Sequence, residues 1–163
     1  MKRHESIRGY FAYYLYQAMK KDKSIYLVSI DLGYKMFDDL QKRYPKRVIV
    51  TGASEQAALG MAVGLAMSGK KVFVYTITPF FYRAFETIRN YIDHENIPVF
   101  LVGSGLYKDY EHDGYSHDAS DINRVMSLFK NIVQIYPNDK ENIEGYLNQI
   151  ITENKPTFLG LRR

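Results

Sequence analysis

The chain has 163 residues, of which 46% are hydrophobic, 15% aromatic and 25% charged. This length predicts one domain over residues 1–163 with its own apolar core, and it leaves no room for a multidomain enzyme. The aromatic content and the formal net charge of only +4 exclude a disordered chain. Because the sequence contains no cysteine, disulfide scaffolds, thiolate metal sites and cysteine nucleophiles are excluded as well.

The sequence carries no sign of a membrane or nucleic-acid partner. No run approaches the ~20 apolar residues of a membrane span, and the N-terminus lacks the apolar centre of a signal peptide. The basic clusters fall at the ends of predicted elements, and the 15 tyrosines do not interleave with them as they would in a base-stacking surface. We therefore expect a cytoplasmic protein that binds neither membranes nor nucleic acids.

Helices and strands alternate along the chain. In chain order we predict a helix over 6–20, a strand over 25–30, a helix over 35–43, a strand over 47–50, a helix over 54–69, a strand over 71–77, a helix over 80–95, a strand over 98–103, a helix over 118–129, a strand over 131–137, a helix over 140–153 and a strand over 157–161. Ser54 and Asp139 are predicted N-caps, and Gly69 a C-terminal stop.

The predicted strands are short, nearly continuous apolar runs, which are typical of a parallel sheet covered on both faces. The expected fold class is therefore α/β, a three-layer doubly wound fold with a mainly parallel six-stranded sheet. Ligands bind beyond the carboxyl ends of such strands. The loops at 31–36, 51–55, 76–83 and 103–117 are therefore the candidate functional segments.

The helix predicted after the second strand begins with an acid and contains two glycines. Glu55 lies in its first turn, where the helix dipole favours an acid without any functional reason. Gly60 and Gly64 are four residues apart although glycine costs about 1 kcal/mol in a helix interior. They indicate close packing, either on the chain's own sheet or against a helix of another subunit.

Aromatic residues and one arginine follow the third strand. Phe81 and Phe85 share a helix face, whereas Phe80 and Arg83 lie toward the loop. An aromatic ring there can stack on a planar heterocycle, and an arginine can hold an anion. An ion pair between Arg83 and Glu86 is an equally good explanation of the arginine.

The polar loop over 104–117 is long for a compact domain, and long loops tend to be functional. It contains His112 and His117 among several acids, but the two histidines lack the spacing of metal ligands on a helix. We therefore predict no metal site in this chain.

Three segments together resemble the pyrimidine-binding domain of the transketolase family, which includes deoxyxylulose-phosphate synthase and the E1 β-chains of 2-oxo-acid dehydrogenases. They read RVIVTGASEQAALGMAVGLAMSGKKVFVYTITPFFYRAFETIR, IPVFLVGSG and DGYSH. The resemblance covers residues 5 to 162. It implies thiamine diphosphate as the cofactor, bound only by its pyrimidine end.

The resemblance also implies roles for individual residues around the cofactor. Glu55 matches the catalytic glutamate that hydrogen-bonds N1′ of the aminopyrimidine and favours its imino tautomer. Phe80 matches the ring that stacks on the aminopyrimidine, with Phe81 and Tyr82 as second choices. Asp31 matches an aspartate that lies near the cofactor.

Further matches concern the substrate. Arg83 resembles an arginine that lies near the substrate phosphate in deoxyxylulose-phosphate synthase. Asp113 and His117 resemble residues that contact substrate hydroxyls, and His117 is also a catalytic candidate. The family's D-G-P-T-H has become D-G-Y-S-H, so Tyr115 is expected to reshape the pocket.

The family holds the diphosphate through Mg²⁺ on a G-D-G…N segment of a second domain, and this sequence has no G-D-G. The resemblance therefore implies a separate diphosphate-binding partner chain that holds Mg²⁺, in an α2β2 assembly with two sites. The isolated chain is expected to bind the cofactor weakly or not at all, and to form a homodimer through the surface meant for its partner.

Three functions remain open on this resemblance. The first is transfer of a two-carbon ketol unit between sugar phosphates, by a chain that is inactive without its partner. The second is decarboxylation of a 2-oxo acid with carboligation, as in deoxyxylulose-phosphate synthase or an E1 β-chain. The third is a non-catalytic binding or regulatory module, which the joint presence of the site residues argues against. A free-standing nucleotide-binding domain is disfavoured because neither G-x-G-x-x-G nor G-x-x-x-x-G-K-[ST] occurs.

Overall fold

One parallel sheet forms the middle layer of the computed structural model, which describes residues 3–33 and 35–163. Its six strands lie in the order β2-β1-β3-β4-β6-β5, and every neighbouring pair is parallel. The strands are β1 Ile25–Ser29, β2 Val48–Val50, β3 Lys71–Ile77, β4 Val99–Ser104, β5 Val133–Ile135 and β6 Thr157–Leu161. The helices are α1 Ile7–Lys21, α2 Asp38–Arg43, α3 Glu55–Met67, α4 Phe85–Thr87, α5 Ile122–Met126 and α6 Ile143–Glu153.

Two hydrophobic clusters, one on each face of the sheet, hold the three layers together. Residues of α1, α2 and α6 pack on one face, with Phe11, Leu15 and Leu147 among the most buried. Residues of α3, α4 with its flanking turns, and α5 pack on the other face. Strands covered on both sides need apolar residues throughout, which is why they read as continuous apolar runs. The predicted fold class and element order are confirmed.

The prediction of one helix over 80–95 is wrong. A 3-10 helix runs from Thr78 to Ala84, α4 follows, and a π-helix covers Ile88–His94. Pro79 lies in the first turn of the 3-10 helix, where its missing N–H costs no hydrogen bond. Three different helical pitches therefore occur within a segment whose sequence predicts a single one.

Two predicted N-caps lack their capping bond. Ser54 occupies the N-cap position of α3, but its hydroxyl donates to the Thr51 carbonyl at 2.8 Å. Asp139 precedes a 3-10 turn over Lys140–Asn142 and makes no side-chain cap, and α6 starts after Asn142. Gly69 has φ +79, in agreement with its predicted role at the end of α3.

The long loop after β4 is ordered around two short 3-10 turns, Glu111–Asp113 and Tyr115–His117. An antiparallel bridge between Tyr107 and Ala119 closes its base. The loop therefore presents a fixed surface next to the carboxyl end of β4. In the part of the chain that the structure describes, no helix has the length and apolar character needed to cross a membrane.

Candidate functional site

Glu55 is the first residue of α3 and is buried, with only 7% of its side chain exposed. The chain leaves β2, turns at Gly52 with φ +64, and enters the helix at Glu55. The Ser54 hydroxyl fastens this turn to the Thr51 carbonyl. The turn thus places a carboxylate beyond the end of the sheet while the helix N-terminus favours its negative charge.

Arg83, on the 3-10 helix that follows β3, contacts Glu55. One of its guanidinium nitrogens, Nη1, donates to Glu55 Oε1 at 2.5 Å. The two residues are 28 positions apart, so only the fold brings them together. The sequence allowed two interpretations of Arg83, an anion ligand or an ion-pair partner of Glu86. The structure shows a third arrangement, in which Arg83 pairs with Glu55, the candidate catalytic carboxylate.

Phe80 completes this group. The Arg83 guanidinium carbon lies 3.8 Å from the centre of the Phe80 ring. Both residues belong to the 3-10 helix, in which side chains three positions apart are eclipsed, so Phe80 and Arg83 point the same way. Glu55, Phe80 and Arg83 therefore form one cluster, which we call the Glu55 cluster.

The loop after β4 borders the Glu55 cluster through His117. Its imidazole meets the Phe80 ring edge to face, with 5.0 Å between ring centres. The Ser116 hydroxyl lies 3.0 Å from His117 Nδ1. Asp113 lies one turn earlier and is half-exposed, and its Oδ2 lies 3.4 Å from His112 Nε2. The structure thus places His117 against Phe80, and Asp113 lies in the neighbouring 3-10 turn of the same loop.

The two second-choice aromatic residues point away from the cluster. Phe81 is 3% exposed and meets Phe158 edge to face in the core, whereas its contact with the cofactor stays a prediction. Tyr82 donates its hydroxyl to Asp121 Oδ1 at 2.8 Å. Burial and this bond to Asp121 raise the Tyr82 pKa. Tyr82 therefore ties the 3-10 helix to the segment after the loop.

Asp31 lies in a different place, on a cleft of about 620 Å³ beyond the ends of β1 and β2. It has φ 44, a left-handed conformation that is uncommon outside glycine and that ends β1 in a sharp turn. The described residues that line the cleft include Arg8 and Tyr75, but no member of the Glu55 cluster. The structure therefore does not join Asp31 to Glu55 within this chain. The candidate loop 31–36 also contains Tyr34, which lies outside the described residues.

Arg8 is a residue that sequence reasoning missed. Its Nη1 donates to the Tyr110 hydroxyl at 2.5 Å, with Ser104 Oγ at 3.4 Å. It thereby connects α1 to the loop after β4. The sequence offered no signal for it, since Arg8 stands alone in the first turn of an aromatic helix.

Asp109 is the second missed residue, and it anchors the loop. Its carboxylate accepts hydrogen bonds from the Leu106 and Arg163 backbone N–H groups, both at 3.0 Å, and from Arg162 Nη2 at 2.7 Å. Burial works to raise the pKa of Asp109, but the bonds from Arg162, Leu106 and Arg163 outweigh it and hold the pKa below its usual range. The end of β6 thus fixes the loop that carries Asp113 and His117.

In the described ranges 3–33 and 35–163, no group of three or more acidic or histidine side chains converges in a way that could hold an ion. The groups that the site presents are a buried carboxylate, an aromatic face, a guanidinium and an imidazole.

The sequence and fold of this chain are similar to those of known proteins of one family. The family model described as "Transketolase, pyrimidine binding domain" matches residues 5–163. A protein of Methanocaldococcus jannaschii named "Putative transketolase C-terminal section" is 30% identical over 146 residues, which is 88% of this chain and 46% of that protein. One subunit of the apulose-4-phosphate transketolase of Phocaeicola vulgatus is 26% identical over 151 residues, or 91% of this chain and 48% of that protein.

A solved structure described as "Split gene transketolase, inactive beta4 tetramer" superposes with a TM-score of 0.86 and 26% sequence identity. The match covers 97% of this chain and 52% of that one. The chain thus spans about half the length or less of these relatives. With the family model matching nearly every residue and the fold in agreement, the chain belongs to the transketolase pyrimidine-binding domain family.

Proposed function

We propose that this chain is the pyrimidine-binding subunit of a two-chain, thiamine diphosphate-dependent transketolase-like enzyme. The reaction is transfer of a two-carbon ketol unit between sugar phosphates, with Glu55 as the residue that activates the cofactor. The observation that carries the proposal is the pairing of the buried Glu55 carboxylate and the Phe80 ring with one group, the Arg83 guanidinium, at the carboxyl end of the sheet. Relatives named as a transketolase subunit and a transketolase section support the two-chain arrangement.

The Glu55 cluster suits an aminopyrimidine by the chemistry of its groups. A planar, nitrogen-rich ring needs an aromatic face to stack on and a carboxyl with which to share a hydrogen bond. Phe80 supplies the first and Glu55 the second, and a planar nitrogen-rich group, the Arg83 guanidinium, already contacts both. When bound, thiamine diphosphate supplies the nucleophilic carbon that cleavage of a ketose requires.

Each residue of this chain then has a defined task. Glu55 exchanges a proton between its carboxyl oxygens and the pyrimidine nitrogen, and its burial keeps water away from this exchange. Phe80 orients the ring by stacking. His117, which touches Phe80, and Asp113 on the same loop contact substrate hydroxyls. Arg83, once its guanidinium leaves Glu55, binds the substrate phosphate.

The partner surface is proposed to lie on α3. Outside the adjacent residues and backbone of α3 itself, no atom of the described residues lies within 4 Å of where a Cβ on Gly60 or Gly64 would stand, so these glycines do not pack on the chain's own sheet. Ala57 and the side chains of Met61 and Met67 face outward beside them. A helix of the diphosphate-binding chain, which holds Mg²⁺, would approach this face in an α2β2 assembly.

Co-purification with the diphosphate-binding chain tests the proposal. With thiamine diphosphate and Mg²⁺ present, ketose consumption is followed for the wild type, Glu55→Gln and, as a matched control, Glu86→Gln. Loss of general acid–base catalysis predicts a fall in kcat of about 10²-fold or more for Glu55→Gln. Glu86→Gln is expected to keep wild-type activity.

Three results would contradict the proposal. Full activity of Glu55→Gln would remove the assigned mechanism. A wild-type pair that binds cofactor without turnover of any donor would indicate a non-catalytic module. Turnover of a 2-oxo acid but of no ketose phosphate would favour the decarboxylase and carboligase alternative.

A further inference from the structure

We infer that Arg83 is a positioning residue that occupies the pyrimidine site while the cofactor is absent, paired with Glu55 and stacked on Phe80. Its guanidinium must move out of this site when the cofactor binds. The inference rests on the proposed function of Glu55 and Phe80. Its basis is that the Arg83 guanidinium contacts the two groups assigned to the aminopyrimidine, Glu55 at 2.5 Å and the centre of the Phe80 ring at 3.8 Å.

The guanidinium resembles the proposed ligand in its chemistry. It is planar and delocalised, carries several N–H donors, stacks on aromatic faces and pairs with carboxylates. A lysine would provide the charge without the flat surface. Arg83 therefore satisfies the aromatic face and the carboxylate together, as the aminopyrimidine is proposed to do. The two cannot use the same Glu55 oxygen and the same area over Phe80 at once.

The two partners of the ion pair differ in their freedom to move. The Glu55 side chain is 7% exposed and belongs to the first turn of α3, whereas the Arg83 side chain is 48% exposed. A buried carboxylate without a partner is costly, so Arg83 stabilises Glu55 while the cofactor is absent. A half-exposed arginine loses little when it swings into solvent. Arg83 is therefore the partner that leaves.

Two consequences follow for binding. An internal competitor lowers the apparent affinity for the cofactor by the fraction of molecules in which the site is open. Once displaced, the guanidinium is free to bind an anionic group of the substrate beside His117 and Phe80. Cofactor binding thus precedes and prepares substrate binding, and one residue serves both steps.

The test compares Arg83→Gln with Arg89→Gln in the complex of this chain with its diphosphate-binding partner. Arg89 is a matched control because it lies six residues further on, is exposed and contacts Asn90 outside the site. The dissociation constant for thiamine diphosphate is measured by calorimetry, and KM and kcat are measured for a ketose phosphate. Arg83→Gln is expected to bind the cofactor about fivefold more tightly, the factor by which a modest ion pair depopulates the open state. Its KM for the ketose phosphate is expected to rise, and Arg89→Gln is expected to change neither value.

Unchanged or weaker cofactor binding by Arg83→Gln would overturn the inference while the proposed function stands. If the wild-type complex binds no thiamine diphosphate at all, the proposed function fails and the inference fails with it. Arg83→Lys guards against a folding defect, because it keeps the charge and loses the planar stack. This variant should fall between the wild type and Arg83→Gln in cofactor affinity, and an affinity below that of the wild type would also count against the inference.

Discussion

The Asp109 carboxylate joins the loop after β4, which carries Asp113 and His117, to the end of β6. The hydrogen bonds that make this connection depend on the charge of the carboxylate. Only 10% of the Asp109 side chain is exposed, and each oxygen accepts from more than one donor. Hydrogen bonds to a charged group contribute more than neutral ones, and the lowered pKa of Asp109 reflects bonds that favour the ionised form over its burial.

Asp109→Asn is therefore predicted to lower the free energy of unfolding at pH 7 by about 1.5–3 kcal/mol, the range for charge-assisted hydrogen bonds. Because the native pKa lies below the unfolded one, this stability is complete above the ordinary aspartate pKa, about 4, and is lost as the pH falls through the lowered native value. Urea unfolding measured from pH 7 down to the acid range should show the wild type and Asp109→Asn converging at low pH. Glu111→Gln, a more exposed acid on the same loop, serves as the control and should remain within about 0.5 kcal/mol of the wild type. A wild-type advantage that persists undiminished in acid would contradict the argument.

At the scale of secondary structure elements, a change from glycine to alanine is predicted to have opposite effects on stability at two positions. Gly105 follows β4 with φ +75, and a Cβ there would overlap the Tyr110 ring. Gly145 lies in α6 with open space around it. Gly105→Ala is predicted to destabilise the chain by about 1–3 kcal/mol through strain and overpacking. Gly145→Ala is predicted to stabilise it by up to about 1 kcal/mol, because alanine favours a helix. Thermal or urea unfolding decides the signs, and a stabilised Gly105→Ala would show that the loop start is not packed as described.

The order and type of most elements follow from the sequence, because buried parallel strands and the helices between them leave strong hydrophobic patterns. The segment from Thr78 to His94 does not, since aromatic residues at mixed spacings fit 3-10, α and π pitches equally well. The 3-10 pitch shapes the candidate site, because it aligns Phe80 with Arg83 and turns Phe81 into the core.

The candidate site was predictable only as far as single residues and their loops. The sequence suggested Glu86 as a partner of Arg83 because it is a neighbour along the chain, whereas the observed partner, Glu55, is 28 residues away. Asp109 likewise depends on Arg162, which lies 53 residues further along the chain. Contacts of this kind depend on how the elements pack, which local sequence patterns do not record.

On the scale of the whole molecule, α3 has more apolar surface than the described part of the chain covers. Ala58, Leu59 and Ala62 pack inward against the sheet, while Met61 is 41% exposed and Met67 72% exposed on the outer side. A helix that is apolar on all sides is normally buried. The outer side of α3 therefore supports the proposed partner surface, with Gly60 and Gly64 allowing a second backbone to come close.

If this surface binds the partner, the double variant Gly60→Ala, Gly64→Ala should be more stable as an isolated chain but should bind the partner chain more weakly. In the isolated chain both new methyl groups enter open space, and each should raise helix stability by up to about 1 kcal/mol. In the complex the same methyl groups would keep the partner helix at a distance, and the dissociation constant should rise at least about tenfold, equivalent to about 1.4 kcal/mol. Urea unfolding of the isolated chain and calorimetric titration with the diphosphate-binding chain measure the two effects. Gly145→Ala is the matched control, because it should raise stability without changing association. If the double variant binds the partner as tightly as the wild type does, the partner surface does not include the glycine face of α3.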